Sequence, residues 1–168
     1  MAEVFIALGA NLGDRAANLE HARSLLAKDV FKPTAISSLY ETEPWGPIPQ
    51  GRYLNQVMRG GTAFGPRDLL AKLLAIEETL GRDRRREQRY AARAIDLDIL
   101  LYDDIELVEP GLEIPHPRLL ERAFVLVPLL EIAPNLVVRG IAIRDALADL
   151  DTTGVVRLAG SDTARSRS

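Results

Sequence analysis

Two aspartates at alternate positions of an apolar segment, Asp96 and Asp98, constrain this chain more than any other feature. Residues i and i+2 of a strand point to one face, about 7 Å apart. Ile95, Leu97, Ile99 and Leu101 then take the opposite face and are predicted to be core. Two carboxylates on one face repel unless a cation, a proton or arginines lie between them. Leu100 and Tyr102, predicted beside the aspartates, argue that their face is not simply open to water. The preceding stretch, Gly81 to Arg93, carries Arg82, Arg84, Arg85, Arg86, Arg89 and Arg93 against only Asp83 and Glu87. Arginine at all six basic positions favours planar, two-pronged contact with phosphate. Mg2+ binds one or two carboxylates together with phosphate oxygens and water. An acidic strand beside an arginine loop therefore suits a polyphosphate carrying Mg2+, and Asp96 and Asp98 are the predicted metal ligands.

The competing readings are a solvated strand face for the acids and a nucleic-acid patch for the arginines. The net charge of −3 gives no global basic field, and aromatic residues are only 5% of the chain, with Tyr90 alone inside the basic run. A nucleic-acid backbone would also be repelled by the aspartates. The absence of cysteine excludes disulfides, thiolate metal sites and a cysteine nucleophile. Only His21 and His116 are available as histidine ligands. Gly9-Ala10-Asn11-Leu12-Gly13 does not satisfy the dinucleotide-binding glycine pattern, and no P-loop motif occurs. No apolar run is long enough to span a bilayer, and no basic leader precedes the first strand, so a cytoplasmic, soluble protein is expected.

Periodicity predicts a strand over Val4 to Leu8 and a helix over Arg15 to Ala27 with Asp14 as N-cap. Strands are predicted over residues 34 to 42 and Tyr53 to Thr62, the latter weakened by Gly60-Gly61. A helix from Pro66 to Leu80 ends at Gly81, and the aspartate strand runs from Ile95 to Tyr102. Beyond it come a Glu109-Pro110-Gly111 turn, a helix over Phe124 to Ala133 with Pro128 as an interruption point, and a short helix over Ile143 to Leu150. The order β-α-β-β-α-β in the first hundred residues is the ferredoxin-like pattern of the α+β class, an antiparallel sheet with helices on one face. A mostly helical C-terminal extension would follow. One domain is expected over residues 1–159, with a disordered tail over 160–168.

Further motifs repeat this theme. Tyr53 and Asn55 share a strand face and offer a ring and an amide to a flat heterocycle. Glu77 falls near the apolar stripe of its helix, and His116 lies between two prolines. Together with Tyr40-Glu41-Thr42-Glu43-Pro44-Trp45-Gly46, Arg93-Ala94-Ile95-Asp96-Leu97-Asp98-Ile99-Leu100, Ile114-Pro115-His116-Pro117 and Glu121-Arg122-Ala123-Phe124, the chain resembles the 6-hydroxymethyl-7,8-dihydropterin pyrophosphokinases over about residues 4–138. The resemblance implies a ferredoxin-like fold, transfer of pyrophosphate from ATP to a reduced hydroxymethylpterin with release of AMP, and a place in folate biosynthesis. It implies two Mg2+ ions on Asp96 and Asp98, with Arg82 and Arg93 catalytic beside them. It assigns Glu77, Arg84, Ile99, His116 and Arg122 to ATP. Tyr53 and Phe124 would sandwich the pterin, Asn55 with Thr42, Glu43, Pro44 and Trp45 would read its polar edge, and Tyr90 would sit on the closing loop. A monomer binding neither nucleic acid nor membrane is implied. Ala91-Ala92 stands where the family has Gly-Pro. The alternatives are an RNA-binding ferredoxin-like module using Arg82 to Arg93, a different Mg2+-dependent phosphotransferase, and a catalytically silent domain.

Overall fold

The computed structural model describes residues 1–42, 52–81 and 94–158. Ten strands and four helices follow one another as β1 (Ala2–Ala10), α1 (Arg15–Asp29), β2 (Lys32–Ile36), β3 (Tyr40–Thr42), β4 (Tyr53–Thr62), α2 (Pro66–Thr79), β5 (Asp96–Tyr102), β6 (Leu107–Glu109), β7 (Leu112–Ile114), α3 (Ala123–Ile132), β8 (Val137–Val138), β9 (Ile141–Ala142), α4 (Ile143–Ala148) and β10 (Val155–Arg157). A one-turn 3-10 helix, Leu119–Glu121, precedes α3. The main sheet has the order β10-β3-β4-β1-β5, with β2 also on β4, and every pairing is antiparallel. This is the expected ferredoxin-like α+β core. Among the described residues no helix is long and apolar enough to cross a membrane.

The first two predicted helices form for the expected reasons. Asp14 caps α1 by accepting from the Ala17 N–H at 3.1 Å, and Leu19, Ala22 and Leu26 are buried. Pro66 opens α2, and Gly81 follows it at φ +99°, a conformation costly for any residue with a Cβ. These helices cover one face of the sheet, packing on Val4, Ile6 and Leu8. The C-terminal extension covers the second face, where α3 and α4 bury Val125, Leu126, Leu129 and Ile143 against Phe5 and Val57. Helix α3 runs through Pro128, which is buried.

Two details depart from the sequence expectation. The predicted strand over 34–42 is broken at Ser37 to Leu39. There Ser37 N donates to Val57 O and Ser37 Oγ accepts from Val57 N, both at 2.9 Å, while Gln56 Nε2 donates to Ser37 O at 2.8 Å. Side-chain bonds thus replace part of the ladder. On β5, the register to β1 slips by one residue between Phe5 and Ile6, so Leu101 faces Phe5 while Ile99 faces Ile6. The slip sends Leu101 to the α3 face and Tyr102 to the α1–α2 face, reversing the sides predicted for them.

Gly60 does not weaken β4; it permits the approach of β2. A Cβ at Gly60 would lie 2.3 Å from Lys32 O and 2.6 Å from Phe31 Cζ, whereas one at Gly61 meets the flexible Met1 side chain at 3.1 Å and Ala2 O at an ordinary 3.8 Å. Gly60→Ala is expected to cost about 2 kcal/mol, with Gly61→Ala much milder. Urea unfolding of both variants checks this, and equal midpoints would contradict it.

Candidate active site

The floor of the site is a cross-strand row on the α3 face of the sheet. Tyr40 pairs with Asn55, Asn55 with Gly9, and Gly9 with Asp96; alongside, Val57 pairs with Ala7 and Ala7 with Asp98. Directly paired residues share a face, so the half-buried Asp96 and Asp98 lie on the same face as Asn55. Gly9 keeps this floor open: a Cβ there would lie 3.4 Å from Asn55 Oδ1 and 3.7 Å from Tyr53 Cδ1. Asn55 Nδ2 donates to Thr42 Oγ1 at 2.7 Å, fixing both buried polar groups and leaving the amide oxygen on the side of Gly9.

The outer edge of β5 is held from below and above. Glu77, 1% exposed on α2, accepts the Leu97 N–H at 2.8 Å. His116 N donates to Leu100 O at 2.9 Å. Thus Glu77 lies beneath the aspartate strand and lines neither cleft described below, while His116 lies at its rim.

One cation, Arg122, and a neutral imidazole, His116, lie within electrostatic reach of the acids. Burial pulls the Arg122 guanidinium below its ordinary range, and Asp98 and Asp96 hold it up against the neighbouring Arg118. His116 is pushed down to about 4, first by burial and then by Arg122, against the opposing pull of Asp96. His116 Nδ1 accepts the Arg118 N–H at 3.1 Å, so the neutral ring carries its proton on Nε2. Protonation of His116 is therefore penalised in the folded state. Stability from this group is complete above about pH 6.5 and is lost as pH falls towards about 4. After discounting for partial exposure, the loss is about 1–2 kcal/mol. Urea titrations at pH 7 and pH 4 should show this loss in the parent chain and not in His116→Asn.

Two clefts lie on this part of the molecule; Asp98 lines the first, and the second is lined by neither aspartate but includes Arg122. One, of about 340 Å³ at the edge of β5, is lined by Leu70, Ile99, Leu112, Glu113, His116 and Asp98, among others. The other, of about 760 Å³ on the α3 face, includes Thr42, Arg118, Arg122, Phe124 and the C-terminal segment Thr153 to Val155. Arg122 lies over the Phe124 ring, 5.5 Å from its centroid. Sequence reasoning did not single out Arg118, although a cation two residues after His116 was visible in Pro-His-Pro-Arg. Arg82, Arg84, Arg93, Glu43, Pro44, Trp45 and Tyr90 lie outside the described residues, as does the predicted tail.

No group of three or more histidine, aspartate or glutamate side chains is placed to hold a metal ion among the described residues. The hard oxygen donors of Asp96 and Asp98 nevertheless fit Mg2+, which takes few protein carboxylates when phosphate supplies the remaining oxygens.

The family model described as 7,8-dihydro-6-hydroxymethylpterin-pyrophosphokinase (HPPK) matches residues 5–134. A 2-amino-4-hydroxy-6-hydroxymethyldihydropteridine pyrophosphokinase of Methylorubrum extorquens is 43% identical over 159 residues, covering 94% of this chain and 99% of that protein. The similarly named protein of Aquifex aeolicus is 39% identical, over 82% of this chain and 84% of its own length. The crystal structure of wild-type Plasmodium falciparum HPPK-DHPS with STZ-DHP superposes with a TM-score of 0.69 at 17% identity, a likeness of fold alone. That match covers 88% of this chain and 43% of the longer protein. Nothing in these relatives supports the RNA-binding alternative. With the family model spanning residues 5–134 and the Methylorubrum extorquens protein matched over 99% of its length, the chain belongs to the 7,8-dihydro-6-hydroxymethylpterin-pyrophosphokinase family: it is an ATP-dependent pyrophosphokinase of folate biosynthesis acting on a dihydropterin.

Proposed function

We propose that transfer takes place where the two clefts meet, with Asp96 and Asp98 as ligands of two Mg2+ ions shared with the triphosphate. The observation that carries this reading is the placement of both carboxylates on one sheet face, with Arg122 under the influence of both and His116 lining the edge cleft with Asp98. The edge cleft takes ATP: Leu70, Ile99 and Leu112 offer apolar walls to the nucleoside, and His116 Nε2–H faces an acceptor on the nucleotide. The wider cleft takes the dihydropterin, with Tyr53 and Phe124 against its ring and Asn55 and Thr42 at its polar edge.

The pterin's hydroxymethyl oxygen attacks the β-phosphorus of ATP in line. The bond from that phosphorus to the oxygen it shares with the α-phosphate breaks, AMP leaves with the electron pair, and the alcohol's proton is released to solvent. Held by Asp96 and Asp98, Mg2+ would supply charge neutralisation at the β-phosphoryl group. The chain's own contribution is alignment and fixed positive charge. Arg122 supplies part of that charge; Arg82, Arg84 and Arg93 supply the remainder on this reading. Glu77 acts beneath the site by fixing Leu97, the residue between the two aspartates. Tyr90, with Glu43, Pro44 and Trp45, completes the pterin enclosure. We further propose that the chain works as a monomer in the cytoplasm and that residues 1–159 form one domain; both helical layers share one sheet.

Incubation with ATP, Mg2+ and 6-hydroxymethyl-7,8-dihydropterin tests the reaction. One AMP should form for each pterin diphosphate. Release of ADP, or ATP consumption independent of the pterin, would contradict it.

A further inference from the structure

Glu131, in the last turn of α3, reaches the break between β2 and β3. Its carboxylate accepts the Ser38 N–H at 3.0 Å, the Ser38 hydroxyl at 2.8 Å and the Tyr40 hydroxyl at 2.8 Å. Ser38 is 0% exposed and Tyr40 7%, so both donor residues are buried, and the half-buried Glu131 reaches in to meet them. Adhesion of the helix does not require this carboxylate, because Val125, Leu126 and Leu129 already pack α3 on the sheet. Apolar packing is non-directional. Three charge-assisted bonds to two fixed residues instead define where the helix sits along and about its axis.

That placement reaches the site at both ends. Phe124 lies seven residues before Glu131, about two helical turns away and on the same side of α3. Tyr40 lies two residues before Thr42, on the same face of β3, and Thr42 holds Asn55 at 2.7 Å. Phe124 and Thr42 line the same cleft.

We propose that Glu131 is a positioning residue for the pterin cleft, setting Phe124 on α3 against Thr42 and Asn55 on the sheet. This rests on the reading of that cleft as the pterin site. A displacement of about 1 Å in such a wall is enough to impair alignment of a bound ring.

Steady-state kinetics of the full chain test it. Glu131→Gln is nearly isosteric but turns an amide group towards the donors. It should raise KM for the dihydropterin about tenfold, leave KM for ATP within about twofold, and lower Tm. Tyr40→Phe removes one of the three bonds and should give an intermediate rise, which keeps the test open if Glu131→Gln fails to fold. Thr62→Val is the control for instability alone: it removes a buried bond to Val30 O, 2.8 Å long, at the far end of β4. It should lower Tm without moving either KM. The proposal is overturned if Glu131→Gln and Tyr40→Phe leave the pterin KM within twofold, or if Thr62→Val raises it equally. Phe124→Ala separates the two readings. An unchanged pterin KM there overturns the cleft assignment and this proposal with it; a raised KM beside a silent Glu131→Gln overturns the positioning role alone.

Discussion

Asp96→Ala and Asp98→Ala should each lower turnover by about three orders of magnitude or more while the fold survives. Both carboxylates are half-buried on a strand whose opposite face supplies Leu97 and Ile99 to the core. Removing either relieves like-charge repulsion but takes a counter-charge from Arg122, and the two effects oppose; the core is untouched, so Tm should move by only a few degrees. Activity has no such tolerance. Phosphoryl transfer draws its acceleration from charge neutralisation and alignment, and loss of a metal ligand removes about 4 kcal/mol of transition-state stabilisation or more. Steady-state assays at saturating Mg2+ and both substrates measure the effect. Near-normal turnover in either variant would remove that residue from the metal site.

Glu77→Leu should be the most damaging single change to the support of the site. The carboxylate is 1% exposed and accepts the Leu97 N–H at 2.8 Å. Leucine relieves the burial of a charge but leaves that amide unpaired on the covered edge of β5. An orphaned buried donor costs about 1–3 kcal/mol, and lost fit adds to it, so a loss of about 2–4 kcal/mol is expected in urea unfolding. Because Leu97 separates Asp96 from Asp98, turnover should fall about tenfold as well. Glu77→Gln retains an acceptor and should be milder in both respects. A Glu77→Leu chain as stable and as fast as its parent would show that α2 does not fix the aspartate strand.

The fold and site differ in how they could be read from the sequence. Strong local signals mark β1, α1, β4 and α2: alternation, the Asp14 cap, Pro66 at the start and Gly81 at the end. The acid pair stood out only in company: carboxylates at i and i+2 alone also read as a solvated strand face, and the arginine run and the apolar neighbours Leu100 and Tyr102 tipped the reading. Other features depend on the partner strand or helix and leave no local trace. The slip opposite Phe5 that turns Leu101 over is set by β1. The break at Ser37 to Leu39 is set by Val57, Gln56 and Glu131. The pairing of Val155 to Arg157 with β3 brings the C-terminal segment to the wall of the wider cleft across more than a hundred residues. Glu77 shows the limit most clearly. Its helical spacing near the apolar stripe indicated proximity to the core, but only the three-dimensional contact shows its carboxylate on the Leu97 N–H, between the two aspartates.

The most direct measurement is a crystal structure of the chain with Mg2+ and a non-hydrolysable ATP analogue. Oxygens of Asp96 and Asp98 should lie about 2.0–2.1 Å from divalent ions that also contact the analogue's phosphates. Ions ligated by phosphate and water alone, with both carboxylates turned away, would contradict the account.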